Sequence, residues 1–295
     1  MTHWHRPASS DASVLRRCWV LLTMGDRPDE LAAAVESIER HDPLGSILVV
    51  GNGASVDPPG RAETLALAEN LGVPGGRQAA IDHCVDADLL VFLDVDARVV
   101  ELDVQAVDAA FRHDPALVAV SFRLVDDTGT SSRRHVPRLG RRGVERSGDV
   151  ATFLGGASVL RRAAVVAAGG YWSALFYAHE ELDLAWRMIE RGGRVRYDAD
   201  AVVFHPATRI SRHAEGWRLT GRNRVWVARR NLPLPLAFAH SLAWLALGAL
   251  RTPDHLTRRA YLDGWRSGWS ERITRQPMRW STVLRLTRLG RPPIV

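Results

Sequence analysis

The sequence predicts an α/β protein: a mostly parallel central sheet flanked by helices, followed by a helical C-terminal extension. Three observations predict it. Short apolar runs rich in strand formers alternate with helix-patterned segments through the first half of the chain. Polar and acidic residues gather at the carboxyl ends of those runs, where open parallel sheets bind ligands. From Gly216 onward the pattern turns helical, with Trp and Arg interleaved. At 295 residues, 46% of them apolar, the chain can bury a full core.

Residues 1–11 are polar and lack an apolar h-region, so no secretory signal is expected. Residues 19–23 read as the first strand, ending in Thr23. Residues 28–40 read as an amphipathic helix with Pro28 and acids in its first turn. Residues 47–50 form the next strand, running into Asn52, and residues 75–85 the next helix. Leu89 to Leu93 is the central strand, too short for most helices. A helix over 104–112 and a strand over 117–122 continue the alternation. Residues 126–149 are polar, Gly- and Arg-rich and aperiodic, and read as a loop. Regular structure resumes near Thr152, with a helix over about 180–191 and strands near Val195 and over 202–204. The boundary falls between a domain over 1–215 and an extension over 216–295.

Residues 234–250 are the most apolar stretch, interrupted by Pro235, His240 and Ser241 and short of the roughly 20 residues a membrane span needs. Two readings stand: a helix packed on the main domain, or an in-plane helix at an anionic membrane surface, flanked by Arg229, Arg230 and Arg251. Two cysteines, Cys18 and Cys84, give neither a disulfide framework nor a metal spacing, and a reduced, cytoplasmic setting is expected.

All 39 basic residues are Arg. The absence of Lys excludes a Schiff-base lysine and a P-loop lysine. A net charge of +6 favours anionic partners such as nucleotide diphosphates or lipid head groups. The arginines are concentrated in 133–146 and the last part of the chain but follow no single helical stripe, so nucleic-acid binding is not expected.

Asp94-Val95-Asp96 closes the central strand. In extended backbone the two carboxylates point the same way, and their repulsion calls for a cation. A hard divalent ion such as Mn²⁺ or Mg²⁺ prefers such oxygen ligands. A helix N-cap beside a solvated acid would look the same locally. Glu180-Glu181 opens a helix, where acids also answer the macrodipole. Gly155-Gly156 admits a substrate close to the backbone, or merely a tight turn. His205 ends a strand, as a ligand or as a structural imidazole.

Taken in this order, the Asp-x-Asp strand end, the Gly-Gly turn, the acidic pair opening a helix and the strand ending in His resemble the family 2 glycosyltransferases of the GT-A fold, over about 20–230. Glu69-Asn70-Leu71-Gly72-Val73-Pro74-Gly75-Gly76 and Gly221-Arg222-Asn223-Arg224 add to the resemblance. It implies an inverting enzyme that moves a sugar from a nucleotide-diphosphate donor to a hydroxyl of a glycan, lipid-linked or small-molecule acceptor. Asp94, Asp96 and His205 would hold the metal; Thr23, Asn52, Asn70, Gly76, Arg77 and Asp94 would contact the donor. Glu181 would be the general base with Glu180 its neighbour. Gly155, Gly156, Ala157 and Trp172 would line the acceptor side. The chain departs from the family in offering Glu181 where Asp is usual, Asn52 where an acid often reads the base, and Gln78 where Asn is usual.

Other readings are weaker. Gly51-Asn52-Gly53 lacks the third glycine of a dinucleotide fingerprint, and Asp57-Pro58-Pro59 blocks the helix that should follow. A haloacid-dehalogenase-type phosphatase needs a catalytic Lys, and Thr or Val where Arg98 stands. A non-catalytic nucleotide-sugar or membrane-surface binding protein on the same fold would keep the Asp pair without a working base.

Overall fold

The computed structural model describes residues 14–132, 135–137, 143–207 and 214–294. The N-terminal stretch 1–11 and Arg133, Arg134, Arg138, Arg141 and Arg142 of the basic segment lie outside the described residues. The element order is β1 (Arg17–Thr23), α1 (Pro28–His41), β2 (Ser46–Asn52), β3 (Glu63–Leu67), α2 (Gly72–His83), β4 (Leu89–Asp94), β5 (Arg98–Glu101), α3 (Val104–His113), β6 (Leu117–Val125), β7 (Gly148–Val150), β8 (Ala157–Arg161), α4 (Arg162–Ala167), α5 (Glu180–Glu190), β9 (Arg194–Phe204), α6 (Ala214–Asn231), α7 (Leu234–Arg251), α8 (His255–Ser270) and α9 (Trp280–Arg288).

The strands form one sheet in the order β3-β2-β1-β4-β8-β6-β9-β5, with β7 on β9. The expected parallel pairing holds from β3 to β4 and again between β6 and β9. The sheet is nevertheless mixed, because β8 runs antiparallel to both β4 and β6. That reversal sets Ala157 opposite Leu93 and lets the Gly156 carbonyl accept from the Asp94 amide at 3.0 Å. A second antiparallel pair, β5 on β9, sets Arg98 opposite Phe204. The turn holding Asp96 is thereby carried to the strand end that holds His205.

Alternation along β4 sorts the core. Leu89, Val91 and Leu93 face α1 and α3 with Val35, Ile38 and Phe111. Leu90 and Phe92 face α2, α5 and the C-terminal helices with Ile81, Leu184, Trp226 and Leu286. Asp94 continues the second parity, so its side chain emerges on the α2 and α5 face. The 216–295 extension shares that face: Val227, Ala228, Met278 and Val283 belong to the same buried cluster as Val20 and Phe92.

β3 and β5 escape a pattern reading because they are short and largely exposed. The two strands expected near Val195 and over 202–204 are one, β9, whose register slips between Asp198 and Val202. α2 opens at Gly72, three residues earlier than expected, since Pro74 is tolerated in a first turn. Free Cys18 and Cys84 meet with their sulfurs 2.6 Å apart.

Against the expectation that this stretch is too short, α7 at 18 residues is long and apolar enough to cross a membrane by length and composition alone, and 28% of it is buried. Its buried side carries Ala237, His240, Ser241, Trp244 and Gly248. Leu234, Phe238, Leu242 and Leu250 form an exposed stripe at helical spacing.

Candidate active site

Asp94, Asp96 and His205 converge as the register requires, their ligand atoms all within 4.8 Å of one another. His205 Nε2 lies 3.7 Å from Asp94 Oδ2 and 3.4 Å from Asp96 Oδ1. Its Nδ1 sits 2.8 Å from the Pro206 carbonyl, which can only accept, so Nδ1 carries the proton. In the neutral ring a bare Nε2 then faces two carboxylates. Such an arrangement is stable only with a proton or a cation between them. Two carboxylate oxygens and an imidazole nitrogen are a donor set that suits Mn²⁺ or Mg²⁺. Burial alone would lower the His205 pKa, but Asp94, the Pro206 carbonyl and Asp96 raise it overall. For Asp94, burial pushes upward and is more than reversed by His205 and Arg77, leaving the carboxyl below its usual range.

Arg77 ties this group to the second acid pair. It is buried on α2, with Nη1 donating to Glu180 Oε1 at 3.0 Å and Nη2 to Asp94 Oδ1 at 3.4 Å. Phe92 and Tyr171 flank the guanidinium, with ring centroids 5.7 and 5.9 Å from Cζ. Gly155 and Gly156 have no side chain where Arg77 and Asp94 need room: a Cβ on the first would strike the guanidinium and on the second the carboxylate. Arg27 holds Asp96 from the other side, Nη1 to Oδ2 at 2.8 Å.

Glu180 and Glu181 differ sharply despite adjacency. Glu180 is buried, and one of its oxygens has no partner. Burial first, then Glu181, push its pKa up to about 8 against the pull of Arg77. Glu181 is half-buried and makes no ion pair among the described residues. The loop that presents them is held in a costly shape: Phe176, Ala178 and His179 have φ of 60°, 68° and 70°. Asn223 on α6 is fully buried and donates to the carbonyls of Leu175, Tyr177 and Ala178 at 2.8, 2.6 and 3.1 Å. Arg222 adds bonds to the Ala174 and Leu175 carbonyls at 3.0 and 3.1 Å. Gly72, at φ +71°, leaves room for Phe176, whose carbonyl accepts from Val73.

The remaining expected residues are placed as follows. Thr23 Oγ1 accepts from the Gly25 amide at 3.0 Å, shaping the loop after β1. Asn52 donates to Asn70 Oδ1 and the Gly72 carbonyl and accepts from the Leu71 amide, so both ends of its amide hold the 70–72 turn. Gly76 lets α2 approach Leu22, and Ala157 is core on the α1 and α3 face. Trp172 stacks on Trp226 at 5.2 Å, with Arg230 Cζ 4.5 Å from its ring. Gln78 accepts from the Tyr171 amide at 2.8 Å and so fixes the Gly-Gly-Tyr turn. Sequence reasoning did not assign Arg27 or Asn223 a role. Arg27 carries no local signal, whereas Asn223 lies in the Gly221-Arg222-Asn223-Arg224 segment.

No family model matches the sequence, and no curated protein matches it. Solved structures do. GalNAc-T7, solved with UDP, GalNAc and Mn²⁺, is 12% identical with a TM-score of 0.63 over 88% of this chain and 57% of that one. The chain thus spans little more than half of that protein. The mannosyltransferase PcManGT from Pyrobaculum calidifontis, in complex with GDP-Man and Mn²⁺, is 14% identical with a TM-score of 0.54, over 93% and 79% of the two chains. S. aureus TarS 1-349 in complex with UDP is 11% identical with a TM-score of 0.57, over 87% and 90%. The fold is therefore that of the GT-A glycosyltransferases.

Proposed function

We propose that the protein is an inverting, metal-dependent glycosyltransferase of the family 2 type, transferring a sugar from a nucleotide-diphosphate donor to an acceptor hydroxyl. The observation behind this reading is the Arg77 bridge, which joins the Asp94 end of the central strand to the Glu180-Glu181 helix start. The neighbours solved with UDP or GDP-Man and Mn²⁺ support it.

Asp94, Asp96 and His205 would hold the divalent ion. When bound, it neutralises charge on the departing diphosphate, a contribution of several kcal/mol. Arg77 and Arg27 keep the acids apart and aimed before any ligand arrives. Glu181, open and unpaired, accepts the acceptor proton as the hydroxyl oxygen bonds to the anomeric carbon and the nucleoside diphosphate leaves. A carboxylate can do this because the proton becomes acidic only as that bond forms. One displacement inverts the carbon. Glu180, buried on Arg77, is a poor base and instead orients the pair. Gly155, Gly156 and Trp172 line the acceptor side, Trp172 stacked on Trp226 of α6, and the α7 stripe with its flanking arginines suits the surface of an anionic membrane at the cytoplasmic face.

Thermal shift with UDP, GDP and other nucleoside diphosphates, with and without Mn²⁺, tests the reading. At least one diphosphate should stabilise the protein in a metal-dependent way, and Asp96→Asn should abolish that dependence. No stabilisation by any diphosphate would refute it.

A further inference from the structure

Arg224 on α6 and Arg251 at the end of α7 share one aromatic ring, and Arg291 in the tail after α9 acts electrostatically on Arg224 and answers to Glu181. Arg224 Cζ lies 3.4 Å and Arg251 Cζ 4.9 Å from the centroid of one ring, that of Trp244. His240 Nδ1 sits 2.7 Å from the Pro293 carbonyl, which draws the tail onto α7. Arg291 is near enough to act electrostatically on His179, His240 and Arg224, and Glu181 acts on it in turn.

Among the described residues the three arginines are answered by no carboxylate within ion-pair distance. The other arginines near the core are answered: Arg17 by Asp42 and Asp108, Arg77 by Glu180 and Asp94, Arg187 by Asp183. Among the described residues Arg224, Arg251 and Arg291 make no side-chain hydrogen bond and no ion pair. His179, the residue before the acidic pair, has a buried Nε2 with no partner. The carboxylate acting on both Arg224 and Arg291 is Glu181. Burial, then the neighbouring arginines, with Tyr261 and Glu181 opposing, bring Arg224 down to about 9. Arg224 and Arg291 share Glu181, and Arg251 acts on Arg224 in turn, a crowding of like charge that an oxyanion would relieve through charge-assisted bonds.

We infer that Arg224, Arg251 and Arg291, with His179, form an oxyanion subsite that binds a phosphate ester carried by the acceptor. The inference rests on the proposed transferase reading. Of the acidic pair, Glu180 takes Arg77 and Asp94 on the donor side, whereas Glu181 is the member that acts on the free arginines. A base touches the acceptor, so an anion held next to Glu181 belongs to the acceptor. The donor diphosphate has its own cations in Arg77, Arg27 and the metal triad. Leu250, exposed next to Arg251, continues the apolar stripe of α7, so the phosphate can come from a lipid-linked acceptor as readily as from a soluble one.

Isothermal titration of the full chain carrying Asp96→Asn, which disables the metal-held diphosphate site, with glycerol 3-phosphate and with dodecyl phosphate tests this. Binding of either probe should weaken about tenfold in Arg291→Gln and further in Arg251→Gln/Arg291→Gln, tenfold being the loss of about 1.4 kcal/mol. Arg224→Gln should do the same, and the two more accessible arginines serve should it fail to fold. Tighter dodecyl phosphate identifies a lipid-linked source, and equal affinity a soluble one. Unchanged probe binding in the arginine variants would overturn the subsite. So would loss of Mn²⁺-dependent diphosphate binding in the same variants on the wild-type background, since the cluster would then serve the donor. Absence of any diphosphate shift in the wild type, with arginine-dependent phosphate binding intact, would instead sink the transferase reading and the acceptor assignment while leaving an anion site.

Discussion

Two acidic pairs of similar sequence, Asp94/Asp96 and Glu180/Glu181, end up in opposite electrostatic conditions. Each member of the first is answered by a fixed cation, Asp94 by Arg77 and Asp96 by Arg27, with His205 between them. In the second pair Arg77 answers Glu180, while Glu181 acts on Arg224 and Arg291, which make no ion pair among the described residues. Environment rather than residue type therefore assigns the roles. The Asp pair is preorganised for a charged ligand, and the Glu pair is divided into one carboxyl buried on Arg77 and one left half-exposed, the one proposed as base.

The sharpest way to break this comparison is to neutralise the Glu residues separately. Glu181→Gln is expected to lower transfer by about 10²–10⁴-fold, the usual worth of a general base, with donor affinity kept. Glu180→Gln should cost far less activity. Single-turnover transfer with donor binding measured in parallel checks both, and equal losses would end the division of roles. Next in size comes the bridge. Arg77→Met leaves the Asp94 carboxylate without its cation and the buried Glu180 carboxyl without its donor, and removing one partner of a buried pair costs about 3–5 kcal/mol. Asp94 is partly open, so the lower end of that range is expected, read as a fall in urea midpoint.

How far the site can be read from the chain follows from how far apart its parts lie. The central strand and the facing of Asp94 follow from five apolar residues and a period of two. The meeting of Asp96 with His205 does not, because it depends on β5, four residues long, pairing with β9. The Arg77 bridge spans 103 residues of sequence, and no local pattern marks it. Gly155 and Gly156 announce a close approach, but the pattern cannot say that the approaching groups are Arg77 and Asp94. The acidic pair is readable as a helix start, while the difference between its members arises only from tertiary burial.

A smaller effect is expected from the clamp that aims the Glu pair. Asn223 bonds three carbonyls of the loop with left-handed Phe176, Ala178 and His179. Asn223→Ala leaves the Tyr177 and Ala178 carbonyls without their donor, while Leu175 keeps Arg222, at a cost of about 1–3 kcal/mol. Because the loop relaxes toward ordinary backbone angles, transfer should fall more than stability. Denaturation alongside kcat tests this, and a stability loss with unchanged kcat would show that the loop does not aim Glu181.

The smallest effect is a pH dependence that separates the two Glu residues without touching turnover. In the folded chain the Glu180 carboxyl keeps its proton up to about 8, against an ordinary value of 4.5. The folded state therefore binds more protons than the unfolded state between those limits, and wild-type stability falls relative to Glu180→Gln as pH rises through them. The buried histidines work in the opposite sense. Burial, then Arg224, lower His240 to about 3, so its contribution is lost as pH drops below about 6.5. Subtracting the variant's curve from the wild type's removes the histidine contribution. Between pH 6 and 7 the difference should decline by no more than about 1.4 kcal/mol, the limit for one proton. A difference that is flat across this window would mean that Glu180 ionises as an ordinary carboxylate, and its contrast with Glu181 would then rest on geometry alone.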